Sequence, residues 1–257
     1  NNIKTDLFFI EQNKIWSGNL LSSKKRLLHQ SKTPFRSMIV VDSIKPRLYL
    51  SQTNKIVQYD GVNEIKMNQS GDILNNPTGV LYDKVNQLVY ICDTDNHRIC
   101  VMNNRGNVST IIGKSRVQGY KDGIGKDVLF RFPTGITYGE TNQVLYVTDR
   151  GNHVIRRIDI SKSYLTTTIG SYQSGKPFVS DGISKTALFN EPYDIMNYKN
   201  KILLVCEKLG NIREINLHSG VVSTIQLPYQ LKTIPTRMFF VESHILIHNN
   251  GDWFLLK

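Results

Sequence analysis

Apolar residues in this chain occur in short β-favouring runs separated by polar turns, and two stretches repeat this pattern closely. One reads V-Y-I-C-D-T-D-N-H-R-I at Val89–Ile99, and the other reads L-Y-V-T-D-R-G-N-H-V-I at Leu145–Ile155. In each, an apolar run ends at an aspartate, a polar turn ends in Asn-His, and a second apolar run follows. Runs of this length bounded by turn residues are typical of strands, so each stretch predicts a β-hairpin.

Four weaker copies of the hairpin align with these two, at Leu7–Ile15, Leu48–Ile56, Leu203–Ile212 and Ile245–Trp253. Successive copies start 41, 41, 56, 58 and 42 residues apart, and about 40–45 residues is the length of one four-stranded propeller blade. The two longer steps contain a matching segment, D-G-I followed by L-F and then P, at Asp122–Pro133 and Asp181–Pro192. These two segments are interpreted as long loop insertions between consecutive blades.

Further β-favouring runs lie on both sides of each hairpin, which gives a repeat of four strands, a to d, with the hairpin as b and c. The runs Thr134–Tyr138 and Leu165–Ile169, for example, are interpreted as strands a and d around the second strong copy. Six such repeats predict an all-β, six-bladed β-propeller that occupies residues 1–257 as a single domain. The chain begins at strand b and ends after strand c, so we expect roughly 22 strands instead of 24. Because residue 1 is Asn, we expect a fragment of a larger chain or a processed form.

The strongest copies resemble a known family. The pattern P-x-G-[IV] followed by [LV]-Y-[IV]-x-D-x-x-N-H-x-[IV] is similar to the NHL repeat. Its residues are Pro77, Gly79, Val80 and Val89–Ile99, then Pro133, Gly135, Ile136 and Leu145–Ile155. The resemblance is strong over residues 72–225 and implies a propeller that binds its partners on one face. NHL propellers of the tripartite-motif type use that face for RNA, and others use it for proteins.

Basic residues exceed acidic ones, which gives a formal net charge of +11. Such an excess attracts polyanions, although a lysine-rich, solvated surface would give the same composition. In a propeller the b–c turns and the d–a loops lie on one rim, which we call the basic rim. Its candidate binding residues are Lys14, Lys55, Arg98, Arg116, Tyr120, Lys121, Lys126, Arg131, Arg150 and Lys208.

Three functions are compatible with this rim. The first is a non-catalytic platform for a protein partner, the second is binding of single-stranded RNA by charge and stacking, and the third is a metal-dependent lyase or lactonase. No catalytic set, metal-ligand set or cofactor motif is recognisable, so the sequence favours the platform over an enzyme. His97 and His153 belong to the repeat and are expected to stabilise turns. The acids Asp93, Asp149 and Glu207 are expected to accept hydrogen bonds from the amides of the following turn.

Three cysteines, Cys92, Cys100 and Cys206, are too few and too irregular for a disulfide framework, so we expect packed thiols and favour an intracellular compartment. No apolar run approaches the roughly 20 residues that a membrane-spanning helix needs, so no membrane insertion is expected.

Overall fold

The computed structural model describes residues 7–18, 25–42, 47–67, 70–71, 73–172, 179–199, 201–227, 237–241, 244–249 and 252–256. Within these residues the secondary structure consists of strands and four short 3₁₀ turns, at Thr94–Asn96, Gly125–Asp127, Arg150–Asn152 and Ile160–Lys162. The part of the chain that is described contains no helix long and apolar enough to cross a membrane.

The described strands form six antiparallel sheets, apart from one parallel pairing. The first sheet consists of β1 (Leu7–Glu11), β2 (Lys14–Gly18) and β3 (Lys25–Gln30). The second consists of β4 (Ser37–Asp42), β5 (Arg47–Ser51), β6 (Ile56–Tyr59) and β7 (Glu64–Lys66). The third consists of β8 (Ser70–Gly71), β9 (Val80–Asp83), β10 (Leu88–Asp93), β11 (Arg98–Met102) and β12 (Asn107–Ile112), and β8 pairs with β12 in parallel.

The remaining sheets follow the same pattern. The fourth consists of β13 (Gly123–Ile124), β14 (Pro133–Tyr138), β15 (Val144–Asp149), β16 (Val154–Asp159) and β17 (Leu165–Ile169). The fifth consists of β18 (Gly182–Ile183), β19 (Pro192–Tyr198), β20 (Ile202–Glu207), β21 (Ile212–Asn216) and β22 (Val221–Ile225). The sixth consists of β23 (Arg237–Val241), β24 (His244–Asn249) and β25 (Asp252–Leu256).

The prediction of six blades is wrong as a count of complete blades. In the described residues the first and last sheets have three strands each, and β8, β13 and β18 are two-residue additions to the edges of four-stranded sheets. The other 22 strands suffice for five complete four-stranded blades and not for six. The six hairpins were counted correctly and each lies in its own sheet, but within the described residues the first and last sheets each have one strand fewer than a four-stranded blade, so counting hairpins overestimates the number of complete blades.

The chain divides into two compact units. The first comprises Asn1–Asp95 with Cys100–Thr110, and the second comprises Asn96–Ile99 with Ile111–Lys257. In the first unit, one hydrophobic cluster includes Phe8, Ile15, Leu48 and Leu50, and a separate cluster contains Tyr49. Successive residues of β5 therefore pack on opposite faces of the sheet, which is why this strand reads as a continuous apolar run.

The second unit repeats this arrangement at β20. Leu203 and Val205 join a cluster with Val144, whereas Leu204 and Cys206 join another with Ile247. Both faces of this strand are buried, so its apolar residues do not alternate with polar ones. The three cysteines are buried thiols, as expected.

Gly135 shows why the repeat places a glycine in strand a. A Cβ at this position would lie 3.0 Å from the Asp194 Cα and 3.0 Å from the Ile195 nitrogen of the neighbouring sheet, and 3.1 Å from the Thr148 Oγ1. The backbones of β14 and β19 can therefore approach closely only because the side chain is absent.

Candidate functional site

The turn between strands b and c is fixed by the Asn-His pair of the repeat. After the 3₁₀ turn Arg150–Asn152, His153 adopts the left-handed conformation with a φ of 58°. Its Nδ1 accepts a hydrogen bond from the backbone N–H of Glu191 at 3.1 Å. His97 in the preceding repeat has a φ of 57° and accepts the N–H of Phe132 at 3.2 Å. The structural role predicted for these histidines is confirmed. Each histidine joins its turn to the residue that precedes the proline at the start of a strand a, Phe132 before Pro133 and Glu191 before Pro192.

The acid at the end of strand b also binds a distant amide. Asp149 Oδ1 accepts the N–H of Arg131 at 2.8 Å, Asp93 Oδ1 accepts that of Asn75 at 2.7 Å, and Glu207 Oε1 accepts that of Asn190 at 2.9 Å. Each donor precedes strand a of the same sheet. The expected bonds from amides of the following turn are also present, because the Asn152 side-chain amide donates to Asp149 Oδ2 at 2.8 Å and the Asn211 side chain bonds to Glu207. The loop before strand a, which supplies the backbone N–H, was not anticipated.

Sequence reasoning missed a buried arginine in strand c. Arg156 lies in β16, and its side chain is 0% exposed. Its Nη1 donates to Asp149 Oδ2 at 2.8 Å and to the Leu129 carbonyl at 2.9 Å, and its Nη2 donates to Asp122 Oδ1 and the Lys121 carbonyl, each at 2.7 Å. The arginine thus holds the loop that contains the Asp-Gly pair.

The same arrangement occurs in the next repeat. Arg213 is 0% exposed and binds Glu207 Oε1 at 3.3 Å, Asp181 Oδ1 at 3.0 Å and the carbonyls of Leu188 and Ser180. The repeat before these two lacks the Asp-Gly segment. There, Cys100 follows Asp93 by seven residues, which is the position that Arg156 holds relative to Asp149. An arginine in strand c together with an Asp-Gly segment before strand a is the sequence signal that could have predicted the Arg156–Asp122 and Arg213–Asp181 ion pairs.

The candidate rim residues differ in exposure and in their partners. In the first unit, the Lys14 Nζ lies 5.9 Å from the centre of the Trp16 ring, and the Lys55 Nζ lies 3.6 Å from Glu64 Oε1. In the second unit, Arg98 is only 4% exposed, so its assignment to a surface rim was wrong. The exposed candidates of the second unit are Arg116, Lys121, Lys126, Arg131 and Lys208.

Tyr120 stacks on Tyr172. The ring centres are 3.9 Å apart with an angle of 11° between the planes, and Tyr172 is 40% exposed. The buried Arg156 holds the Tyr120 ring in place, since its Cζ lies 5.5 Å from the centre of that ring. The pair therefore includes one partly exposed ring, that of Tyr172, stacked on a residue whose chain neighbour Lys121 is exposed.

Charged residues from four turns and loops lie around Glu191 and its neighbour His153, and we call Arg131, Arg150, His153, Glu191 and Lys208 the Glu191 cluster. Arg150 donates from Nε at 3.3 Å and from Nη2 at 3.1 Å to Glu191 Oε2, and the Lys208 ammonium donates to Glu191 Oε1. The side chains of Arg150 and Lys208 are 37% and 48% exposed, and that of Glu191 is 20% exposed.

Electrostatics within the Glu191 cluster set the ionisation of its members. Burial alone would raise the pKa of Glu191, but bonding to Lys208 and Arg150 outweighs burial and holds this pKa below its ordinary value. Burial lowers the pKa of His153, and the charges of Arg131, Lys208 and Arg150 lower it further, although Glu191 opposes them. Near neutral pH the cluster therefore contains three cations, one carboxylate and a neutral imidazole.

Among the side chains that the structure describes, no group of three or more His, Cys, Asp or Glu residues is arranged so that it could hold a metal ion.

Comparison with known proteins identifies the repeat. The NHL repeat family matches residues 74–102 and 130–158. NHL repeat-containing protein 2 of Homo sapiens is 29% identical over 179 residues, which cover 70% of this chain and 24% of that protein. Protein SUPPRESSOR OF QUENCHING 1, chloroplastic, of Arabidopsis thaliana is 31% identical over 119 residues, which cover 46% of this chain and 11% of that protein. The chain thus spans a minor part of the length of these relatives.

Solved structures resemble the fold over most of the chain. A protein of unknown function from Bacteroides thetaiotaomicron has a TM-score of 0.67 at 17% identity, covering 86% of this chain and 56% of that one. Virginiamycin B lyase from Staphylococcus aureus has a TM-score of 0.62 at 14% identity, covering 98% of this chain and 90% of that one. At these identities the likeness concerns the fold alone. With the NHL matches, it identifies the fold as an all-β β-propeller.

Proposed function

From its NHL repeats, which place this chain in the NHL-repeat family, we propose that it is a non-catalytic platform that binds a protein partner through the basic rim of its second unit. The proposed binding residues are Arg116, Tyr120, Lys121, Lys126, Arg131, Arg150 and Lys208. Lys14 and Lys55 belong to the first unit and remain predictions from the sequence. The observation that carries the proposal is the meeting of Arg150 and Lys208 at Glu191, next to His153, on which the charge of Arg131 also acts.

These cations lie on rigid supports, which favours recognition over a merely solvated surface. Arg150 follows directly after β15, and its Cζ lies 5.8 Å from the centre of the Tyr193 ring. Arg131 and Glu191 each lie within two residues of the start of a strand a. Arginine held beside an aromatic ring is common at the centre of protein interfaces.

The test compares two triple variants of the tagged 257-residue chain. One reverses the exposed rim cations, as Arg116→Glu, Lys121→Glu and Lys126→Glu. The other reverses exposed cations at the opposite strand ends of the same unit, as Lys162→Glu, Lys199→Glu and Lys201→Glu. Both variants have the same formal net charge, so a difference in captured partner reports the location of the charge and not its total. We expect the first variant to lose a partner that the wild type and the second variant retain. Equal capture by all three proteins would refute the rim as the binding surface.

Single-stranded RNA is a second candidate, and the Tyr120–Tyr172 stack favours it. Tyr172 is 40% exposed and stacks on Tyr120, which is followed in the chain by the exposed Lys121. Stacking and positive charge together are the combination that binds bases and phosphates. Binding of a random oligonucleotide pool should then weaken steeply as salt is raised and should decrease about tenfold in Tyr172→Ala, since one stacked base contributes about 1–3 kcal/mol. Pool binding that is unchanged in this variant would exclude stacking on the pair.

A metal-dependent lyase or lactonase is the alternative from the class of enzymes. It requires a stoichiometric divalent ion in the purified chain, which elemental analysis measures directly. A bound ion whose removal leaves the fold intact would favour the enzyme over the platform.

A further inference from the structure

The Glu191 cluster contains more hydrogen-bond donors than its one carboxylate can use. Arg150 directs Nε and Nη2 to a single oxygen of Glu191, and Lys208 approaches the other oxygen. A guanidinium has five N–H donors and an ammonium has three, so both cations have donors left for a second anion. Arg131 adds an exposed third cation, whose charge acts on His153.

Backbone contacts fix the positions from which these cations extend. The Gly151 N–H donates to the Arg131 carbonyl at 2.7 Å, and the Lys208 N–H donates to the Asn190 carbonyl at 3.2 Å. Glu191 itself has a φ of 42°, and its N–H is bound by His153. Because the turns are tied to one another, binding costs little further ordering of the backbone.

We propose that the Glu191 cluster is the docking point for an acidic segment of the protein partner, with Glu191 as an internal carboxylate that keeps the cations in place. The inference rests on the proposed function and adds the chemistry of the partner. A segment with several Asp or Glu residues fits, because Arg150 already holds a carboxylate through two nitrogens and planar carboxylates match the arginine fork. The net charge of +11 complements such a segment at longer range.

Fluorescence anisotropy with three labelled probes tests this inference. The probes are a peptide of alternating Glu and Ser, the same peptide with Gln in place of Glu, and an oligouridine of equal charge. We expect the wild type to bind the acidic peptide and not its Gln counterpart. Glu191→Gln keeps the shape of the side chain but removes its charge, so we expect it to bind the acidic peptide about two- to fivefold tighter, as one exposed ion pair suggests.

The double variant Arg150→Gln/Lys208→Gln should bind the acidic peptide about tenfold or more weakly, since charge-assisted bonds are lost from both cations. Lys162→Gln is the matched control, because Lys162 is 67% exposed in a turn at the opposite end of β16. It should leave the affinity unchanged. Circular dichroism melting of each variant confirms that it is folded.

Unchanged or weaker binding of the acidic peptide by Glu191→Gln would overturn the inference. A gain in affinity on Glu191→Gln that is larger for oligouridine than for the acidic peptide would also overturn the inference, since the cluster would then recognise polyanions in general. The test is separable from that of the platform, which uses Arg116, Lys121 and Lys126. If charge reversal at those three residues abolishes partner capture while the affinity for the acidic peptide is unchanged in Glu191→Gln, the platform is supported and the acidic docking point is refuted.

Discussion

Two neighbouring arginines in β16 illustrate how much burial changes the energetic role of a residue. Arg156 is 0% exposed and is paired with Asp149 and Asp122, whereas the side chain of Arg157 is 32% exposed and lies 3.6 Å from Glu140. Removing one partner of a buried ion pair leaves the other charge uncompensated in a poorly solvated place. An exposed pair gains little because water screens it.

We therefore predict that Arg156→Gln lowers the free energy of unfolding by about 3–5 kcal/mol. Arg157→Gln should lower it by about 1 kcal/mol or less. Urea denaturation followed by circular dichroism measures both. Equal losses in the two variants would contradict the proposed role of Arg156 in holding the Asp-Gly loop.

Glu207 makes stability depend on pH. Burial raises the pKa of Glu207 from 4.5 to about 7, although Arg213 opposes the shift. Between these two values the folded chain binds a proton that the unfolded chain has released. Stability from this group is therefore highest at the acidic end of the interval and is lost as the pH rises to about 7.

Glu207→Gln should remove this dependence, because the amide cannot ionise. The free energy of unfolding of the wild type should fall more steeply than that of the variant between about pH 5 and pH 7, by up to about 1 kcal/mol per pH unit for one proton. Urea titrations across this interval check the prediction, and Glu140→Gln, which removes an exposed carboxylate, is the control. Identical slopes in the wild type and Glu207→Gln would disprove it.

At the scale of the element, strand b is the most thoroughly buried strand of the third, fourth and fifth sheets. In β20, Leu204 is 1% exposed and packs with Met238 and Ile247, whereas Leu209, in the turn that follows, is 60% exposed. Leu204→Ala would leave a cavity between two sheets, so we predict a loss of about 2–5 kcal/mol in the free energy of unfolding.

Leu209→Ala is the matched control, since it removes the same atoms from a position already in water. It should change the free energy of unfolding by about 0.5 kcal/mol or less. Thermal or urea denaturation compares the two variants. A small effect of Leu204→Ala would mean that β20 is not packed on both faces.

At the scale of the whole molecule, the formal net charge of +11 acts over longer distances than any single contact. The triple variants at the rim and at the opposite strand ends should both associate with an acidic peptide several-fold more slowly than the wild type at about 50 mM salt, because steering follows the total field. The difference should shrink at about 300 mM salt, where the field is screened. Stopped-flow fluorescence measures both rates, and only the rim variant should also dissociate faster.

The sequence alone determined the local features of this protein. The hairpins, the strands Leu165–Ile169 and Val221–Ile225, and the structural role of the repeat histidines follow from alternation and turn residues, which act within about a dozen residues. The candidate cations Arg131, Arg150 and Lys208 were also identified from their turns.

Only the tertiary structure decided which charges are buried and which carboxylate lies among the cations. Arg98 and Arg156 look like surface residues in the sequence but are buried, and Glu191 was not singled out at all. Several of the contacts involved join residues far apart in the chain, since Leu129 lies 27 residues from Arg156 and Glu191 lies 41 residues from Arg150. The number of complete blades was decided there too, because pairing at a sheet edge depends on neighbours in space and not on the local pattern.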